Sequence, residues 1–166
     1  KNVTAEENAD KITYITPKVS GFQAAVSYAS TNDVRTLGSA LEGTSSTEDK
    51  SLRDLVEVAA RYDGTYEGAN FHLGTGYAYG NGINDLKDEE SWNAGFAVEY
   101  AGFGLGFNYS QFDGTNEASD ETKDKVFYTG LDYTTGAYKF GASWLNTESK
   151  NEGTKDKLNR YSVGAQ

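Results

Sequence analysis

The chain has 166 residues, 24% of them charged, with a formal net charge of −10; this argues against nucleic-acid partners, because phosphate binding needs clustered Lys and Arg. Apolar residues make up 37%, and no run approaches the ~18 apolar residues of a spanning helix. With no cysteine and a single histidine, His72, disulfides, thiolate metal sites and Cys–His dyads cannot be assembled from it.

Nineteen glycines and twelve tyrosines against one proline and no methionine fit strands with aromatic ends and small side chains between. Nine strands are predicted, over 11–16, 22–29, 55–62, 68–79, 91–100, 103–112, 125–133, 137–145 and 159–166. Phe22-Gln-Ala24-Ala-Val26-Ser-Tyr28, Trp92-Asn-Ala94-Gly-Phe96-Ala-Val98-Glu-Tyr100 and Phe103-Gly-Leu105-Gly-Phe107-Asn-Tyr109 show the pattern most clearly. Successive strand residues point to opposite faces, so each stretch reads as one apolar face backed by a small or polar one.

Short turns are expected at Pro17–Gly21, Asp63-Gly64, Ala101-Gly102 and Thr134-Thr135-Gly136, built from residues that tolerate turn geometry. Between them run long polar stretches at 30–54, 80–90, 113–124 and 146–158. Short and long connections alternate strictly, which places all the short ones on one rim. The long stretches carry net charges of −2, −3, −4 and zero in that order, so one rim is acidic. Nothing in the composition marks a linker, and 1–166 reads as a single segment. Lys1 opens no signal peptide, so a mature protein or a piece of one is expected.

No charge falls on the apolar face, which takes in Ile12, Tyr14, Val26, Val58, Leu73, Phe96, Leu105, Leu131, Phe140 and Val163 among others. The other face carries Lys11, Glu57, Arg61, His72, Glu99, Asp132, Lys139 and Arg160 among Gly, Ser, Asn and Ala. A soluble sheet packed on a core shows the same alternation, and a soluble lipocalin-like ligand-binding barrel is the alternative reading. Two details favour lipid over a core. Aromatics gather at both strand ends, with Tyr62, Tyr100, Tyr133 and Tyr138 beside the short turns and Tyr28, Trp92, Tyr109 and Trp144 beside the long stretches; this is the double girdle of a membrane barrel. The polar face is also rich in glycine rather than in long charged side chains. The expected fold is therefore all-β, a transmembrane antiparallel up-and-down barrel lined by the eight charged or titratable residues named above.

Asp10-Lys-Ile-Thr-Tyr-Ile-Thr-Pro17-Lys-Val-Ser-Gly21-Phe22-Gln-Ala-Ala-Val-Ser-Tyr28 resembles a strand pair of the general porins of Gram-negative bacteria, particularly the alphaproteobacterial kind. Thr129-Gly-Leu-Asp-Tyr133-Thr-Thr-Gly136-Ala-Tyr-Lys-Phe-Gly-Ala-Ser-Trp144-Leu is similar to a late hairpin of the same proteins, and 101–109 is a weaker third match. The resemblance implies a sixteen-stranded, water-filled outer-membrane barrel that forms a homotrimer and passes ions and small hydrophilic solutes passively. It also implies that a constriction loop narrows the lumen, with residues 1–10 as that loop's tail, and that this chain spans an internal segment of about nine strands. Nine is odd, whereas bacterial single-chain barrels have even counts.

No catalytic constellation emerges, so no enzyme activity, cofactor or resident metal is expected. His72 reads as a lumen residue. Asp120-Glu121-Thr-Lys-Asp124 and Asp85-Leu-Lys-Asp88-Glu89-Glu90 could hold a divalent cation through carboxylate oxygens, or bridge one to lipopolysaccharide, but they match no defined calcium loop and read first as solvated acidic surface. Outer-membrane lipid and lipopolysaccharide are the expected surroundings. A near-balanced wall and an acidic mouth predict a mild cation preference.

Overall fold

A computed structural model describes residues 11–32, 52–82, 87–115, 121–151 and 154–166. Nine strands form one sheet: β1 (Lys11–Ile15), β2 (Phe22–Asn32), β3 (Leu52–Tyr66), β4 (Ala69–Gly82), β5 (Glu89–Tyr100), β6 (Phe103–Thr115), β7 (Glu121–Thr135), β8 (Tyr138–Asn151) and β9 (Thr154–Ala165). Each strand pairs antiparallel with the next, in the order β1 to β9. The sheet is not closed, and β1 and β9 are its edges. Among the described residues there is no helix. The anticipated tail of a constriction loop at 1–10 lies outside the described residues.

The strands are taller than predicted. β3 begins at Leu52 rather than 55, β7 at Glu121 rather than 125, and β9 at Thr154 rather than 159. The stretch 146–158, expected as a long connection, is almost entirely paired strand, with Glu148 opposite Lys157 and Lys150 opposite Lys155. Hydropathic alternation ends where the apolar surroundings end, but backbone pairing continues beyond that point at no loss. A strand boundary drawn from hydropathy therefore stops short.

The short rim departs from expectation in two places. Thr134 and Thr135 are paired residues of β7, and the chain turns there at Gly136-Ala137. Asp63 and Gly64 lie inside β3, and the chain reverses at Glu67-Gly68, with φ of 47° and 83°. Ala101-Gly102 turns the chain as expected, with φ of 50° and 85°. Both pairs have two successive positive φ values, the I′ pattern whose twist suits a two-residue hairpin. Gly102 is required for a second reason. Its carbonyl accepts from the Thr134 N–H at 2.7 Å, and a Cβ there would stand 2.5 Å from the Thr134 carbonyl oxygen. The β5–β6 turn is thus bonded to the next hairpin.

A single irregularity breaks the ladder between β3 and β4. Asp54 and Leu55 together oppose Gly80, and Asp54 has φ of 51°. This bulge lies near the long-connection rim, where the Tyr28 hydroxyl donates to Asp54 Oδ1 at 2.7 Å.

Candidate functional site

The registers sort the side chains into two faces, because residues directly opposite in a ladder share a side. On one face the rung Phe22–Tyr62–Leu73–Phe96–Phe107–Thr129–Trp144–Tyr161 runs without a break from β2 to β9. The rung Phe71–Val98–Leu105–Leu131–Ala142–Val163 lies next to it, toward the short turns. None of these large groups is buried; Tyr62, Phe71, Phe96, Val98 and Trp144 are half-buried, and others are exposed, Leu105 at 45% and Leu131 at 54%. Among the described residues eight are buried, Ser27, Ala29, Leu55, Ala78, Gly80, Glu89, Gly104 and Phe112, and all belong to the opposite face. The apolar side is therefore not a core.

The aromatics of the apolar face form two lines that cross the rungs diagonally. The upper line passes Tyr28, Tyr77, Trp92, Tyr109, Phe127, Trp144 and Tyr161, and several of its neighbours touch. The ring centroids of Trp92–Tyr109 are 4.9 Å apart, those of Phe127–Trp144 5.1 Å, and those of Trp144–Tyr161 6.5 Å. The lower line includes Phe22–Tyr62 at 4.5 Å and Phe103–Tyr133 at 4.4 Å. Tyr28 shares its rung with Lys150 of β8, whereas the β8 member of the line, Trp144, sits six residues lower.

A drop of six residues over six strands gives a slope of ~35° at ~3.3 Å per residue and ~4.8 Å per strand. Barrel strands tilt by 35–45° from the membrane normal. A flat belt on tilted strands must cross the rungs at that angle. Below the upper line no charged side chain falls on this face; above it stand Glu90, Asp113, Lys123, Lys125, Glu148, Lys150, Lys155 and Lys157. Of the expected girdle residues, Tyr28, Tyr62, Trp92, Tyr100, Tyr109, Tyr133, Tyr138 and Trp144 all lie on this face. Phe127 belongs with them. Sequence reading missed it because the β7 start was placed too close to it.

The opposite face holds all eight expected polar residues, Lys11, Glu57, Arg61, His72, Glu99, Asp132, Lys139 and Arg160, but does not gather them into one centre. Glu57 accepts from the Ser27 hydroxyl at 2.7 Å and pairs with Lys11, which links β1, β2 and β3. Nearer the short turns, Asp63 takes Lys18 at 2.7 Å and His72 Nδ1 at 3.0 Å, with Arg61 Nε at 3.8 Å. Lys139 pairs with Asp132 at 3.1 Å. Among the described residues Glu99 and Arg160 enter no ion pair.

Between these groups the face is smooth. Gly106, Gly130, Gly141 and Gly164 line a recess of about 550 Å³ with Asp132 and Lys139, and a Cβ on Gly74, Gly106 or Gly164 would meet nothing within 4 Å. Apolar residues absent from the expectation also sit on this face: Leu55, Phe112, Val126, Leu145 and Leu158.

Sequence reading missed four acids on this face, Asp63, Glu89, Asp124 and Asp156. The last two sit in a repeated Lys-Asp-Lys signal, Lys123-Asp124-Lys125 and Lys155-Asp156-Lys157. Read as loops, these triplets cancel. Read as strand, they send lysine to the apolar-face side and aspartate to the other. Asp88, between β4 and β5, accepts from the Tyr79 hydroxyl at 2.6 Å and the Gly82 N–H at 3.2 Å, and these bonds hold its carboxyl below the usual range. Among the described residues no group of three His, Cys, Asp or Glu side chains could hold a metal ion; Asp85 and Asp120 of the two acidic motifs lie outside them.

A two-faced meander with a diagonal aromatic belt has its counterpart among known families. The Gram-negative porin family matches residues 2–166. The chain belongs to that family. A comparison with curated proteins returns no match. Porins are channel proteins of the outer membrane.

Proposed function

We propose that this porin forms a water-filled channel, with the glycine-rich face as its wall, through which ions and small hydrophilic solutes diffuse passively with a mild preference for cations. Lys11, Glu57, Arg61, His72, Glu99, Asp132, Lys139 and Arg160 line it. The observation that carries the cation preference is the distribution of charge by face. Glu89, Asp124 and Asp156 join the inward side near the outer mouth, while the lysines beside the last two turn outward. Along the wall, Lys11 and Lys139 are each matched by a carboxylate, and Asp63 alone is met by Lys18, Arg61 and His72. Carboxylates near the mouth lower the barrier for entering cations.

The porin works as a homotrimer, and further strands complete the wall, since each unpaired backbone group at a sheet edge in lipid costs several kcal/mol. Reversal potentials in planar bilayers under a salt gradient test the selectivity. Potassium should outrun chloride severalfold at most, and clear anion selectivity would overturn the reading. Retention in plain buffer without detergent would instead point to a soluble carrier.

A further inference from the structure

Tyr128 stands on the inward face, on the rung Asn108–Tyr128–Leu145–Arg160. Among the described residues only one other Phe, Tyr or Trp ring points inward, Phe112, and that ring is buried, whereas Tyr128 is 41% exposed. Its phenol runs along the strand over Gly130: a Cβ on that glycine would stand 3.2 Å from the Tyr128 hydroxyl oxygen and 3.6 Å from Cζ. The outer end of the ring thus takes the room that a side chain at 130 would need. Among the described residues the Tyr128 hydroxyl has no hydrogen-bond partner. An open aromatic ring on an otherwise glycine, serine and asparagine wall has no packing rationale of its own.

The ring closes the upper side of the recess of about 550 Å³. Below it lies the rung Gly106–Gly130–Ser143–Ser162, and below that Gly104–Asp132–Gly141–Gly164. Glycine backbone makes the floor, and the two serine hydroxyls stand side by side across it. Asp132 and Lys139, 3.1 Å apart and 36% and 54% exposed, close the lower side. Such an exposed pair adds little to folding and leaves most of its bonding capacity unused, since a carboxylate accepts and an ammonium donates several hydrogen bonds. Between the Gly130 rung, where the phenol ends, and the Asp132 rung there is a step of two residues, ~7 Å.

We propose that this recess is a solute subsite that holds one sugar ring, its C–H face against Tyr128 and two adjacent hydroxyls bridging Asp132 and Lys139. The inference rests on the reading that this face lines a water-filled channel. One hydroxyl donates to the Asp132 carboxylate while its neighbour accepts from the Lys139 ammonium, so the ion pair is used without being separated. Ser143 and Ser162 meet further hydroxyls at the floor, and Arg160, on the rung of Tyr128 and in no ion pair among the described residues, offers donors at the rim. An aromatic face beside a few convergent polar groups is the make-up of a small-molecule site. A zwitterion fits less well, because its two charges would have to part Asp132 from Lys139. An open-chain polyol has the hydroxyls but no flat C–H face for the ring.

The test uses the full-length protein in planar bilayers, with D-glucose as the probe and D-sorbitol and L-alanine as arms. Potassium current through wild type should fall saturably with glucose, and only in proportion to solution viscosity with sorbitol or alanine. Y128A and G164V should each lose about tenfold or more in glucose affinity, read in channels that insert and conduct. A Cβ at Gly164 meets nothing within 4 Å, so the valine fills the recess without a clash. Y128F keeps the ring and should stay within about threefold of wild type, and N93A, inward but outside the recess, should bind glucose as wild type does. Equal behaviour of glucose and sorbitol, unchanged glucose affinity in Y128A and G164V, or saturation by alanine instead of glucose would overturn the proposal. Saturation-transfer NMR of glucose on the protein in lauryldimethylamine oxide micelles, which carry no sugar headgroup, reads the site without a current. Transfer to the glucose C–H protons from a wild type that forms no channel would support the subsite and count against the channel reading; a conducting wild type with neither transfer nor saturation would overturn the subsite alone.

Discussion

The inward and outward faces of these strands share one backbone and obey opposite rules. Outward positions below the upper belt are large, apolar and at least partly exposed, from Val98 and Leu105 to Leu131 and Val163; inward positions on the neighbouring rungs are Ala97, Gly106, Gly130 and Ser143. In a soluble protein the large side chains would be buried and the small ones would face water with long polar companions. The inversion follows from the solvent on each side. Lipid accepts bulk and rejects charge, whereas a water-filled lumen needs open space and leaves charges solvated at little cost. The difference teaches that burial in the isolated chain is no guide here to which residues matter for assembly.

The sharpest way to break this contrast is to put one charge on either side of a single peptide bond. Leu105→Arg should cost about 2–4 kcal/mol of membrane stability and abolish heat-resistant folded bands on gels. Gly106→Arg, one residue away and with open space around its Cβ, should insert normally and reduce single-channel conductance. If both variants insert equally well, the faces are misassigned. Gly102→Val should cost about 1–3 kcal/mol, read as a lowered urea midpoint, because it combines a φ of 85° with a clash against the Thr134 carbonyl.

Trp144→Ala removes rings packed on Phe127 and Tyr161 and should cost about 1 kcal/mol beyond the lost area, measured by the same unfolding. D124N/D156N leaves folding unchanged and shifts the reversal potential toward zero without reversing its sign. The smallest effect concerns Asp88. Its carboxyl is depressed in the folded state, so its contribution is full above the ordinary value near 3.8 and fades as pH falls through the lower folded value. Asp88→Asn should therefore melt slightly below wild type at neutral pH and together with it near pH 2, checked by thermal melts across that range.

The apolar band was legible residue by residue. From Phe22 to Val163, each outward assignment made from alternation agrees with its ladder partners, because a period of two leaves no third option once one anchor is known. The rims were less legible, for opposite reasons. At the short-turn rim Asp63-Gly64 has the composition of a turn, but the register with His72 and Phe71 carries the strand on to Glu67-Gly68. At the long-connection rim, hydropathy falls silent while pairing persists, so Lys123-Asp124-Lys125 and Lys155-Asp156-Lys157 passed for loop. Their charges summed to little in the linear count and separated fully by face.

Strand number, the two-sided wall and the resemblance to porins followed from the order of residues, since side-chain parity and turn chemistry are local properties. Which rung lies beside which, and hence the ~35° slope of the belt, the rungs that frame the recess below Tyr128 and the acids hidden on the inward side of the mouth, depended on registers between strands. Those are set by contacts across tens of residues of sequence, and no local pattern encodes them.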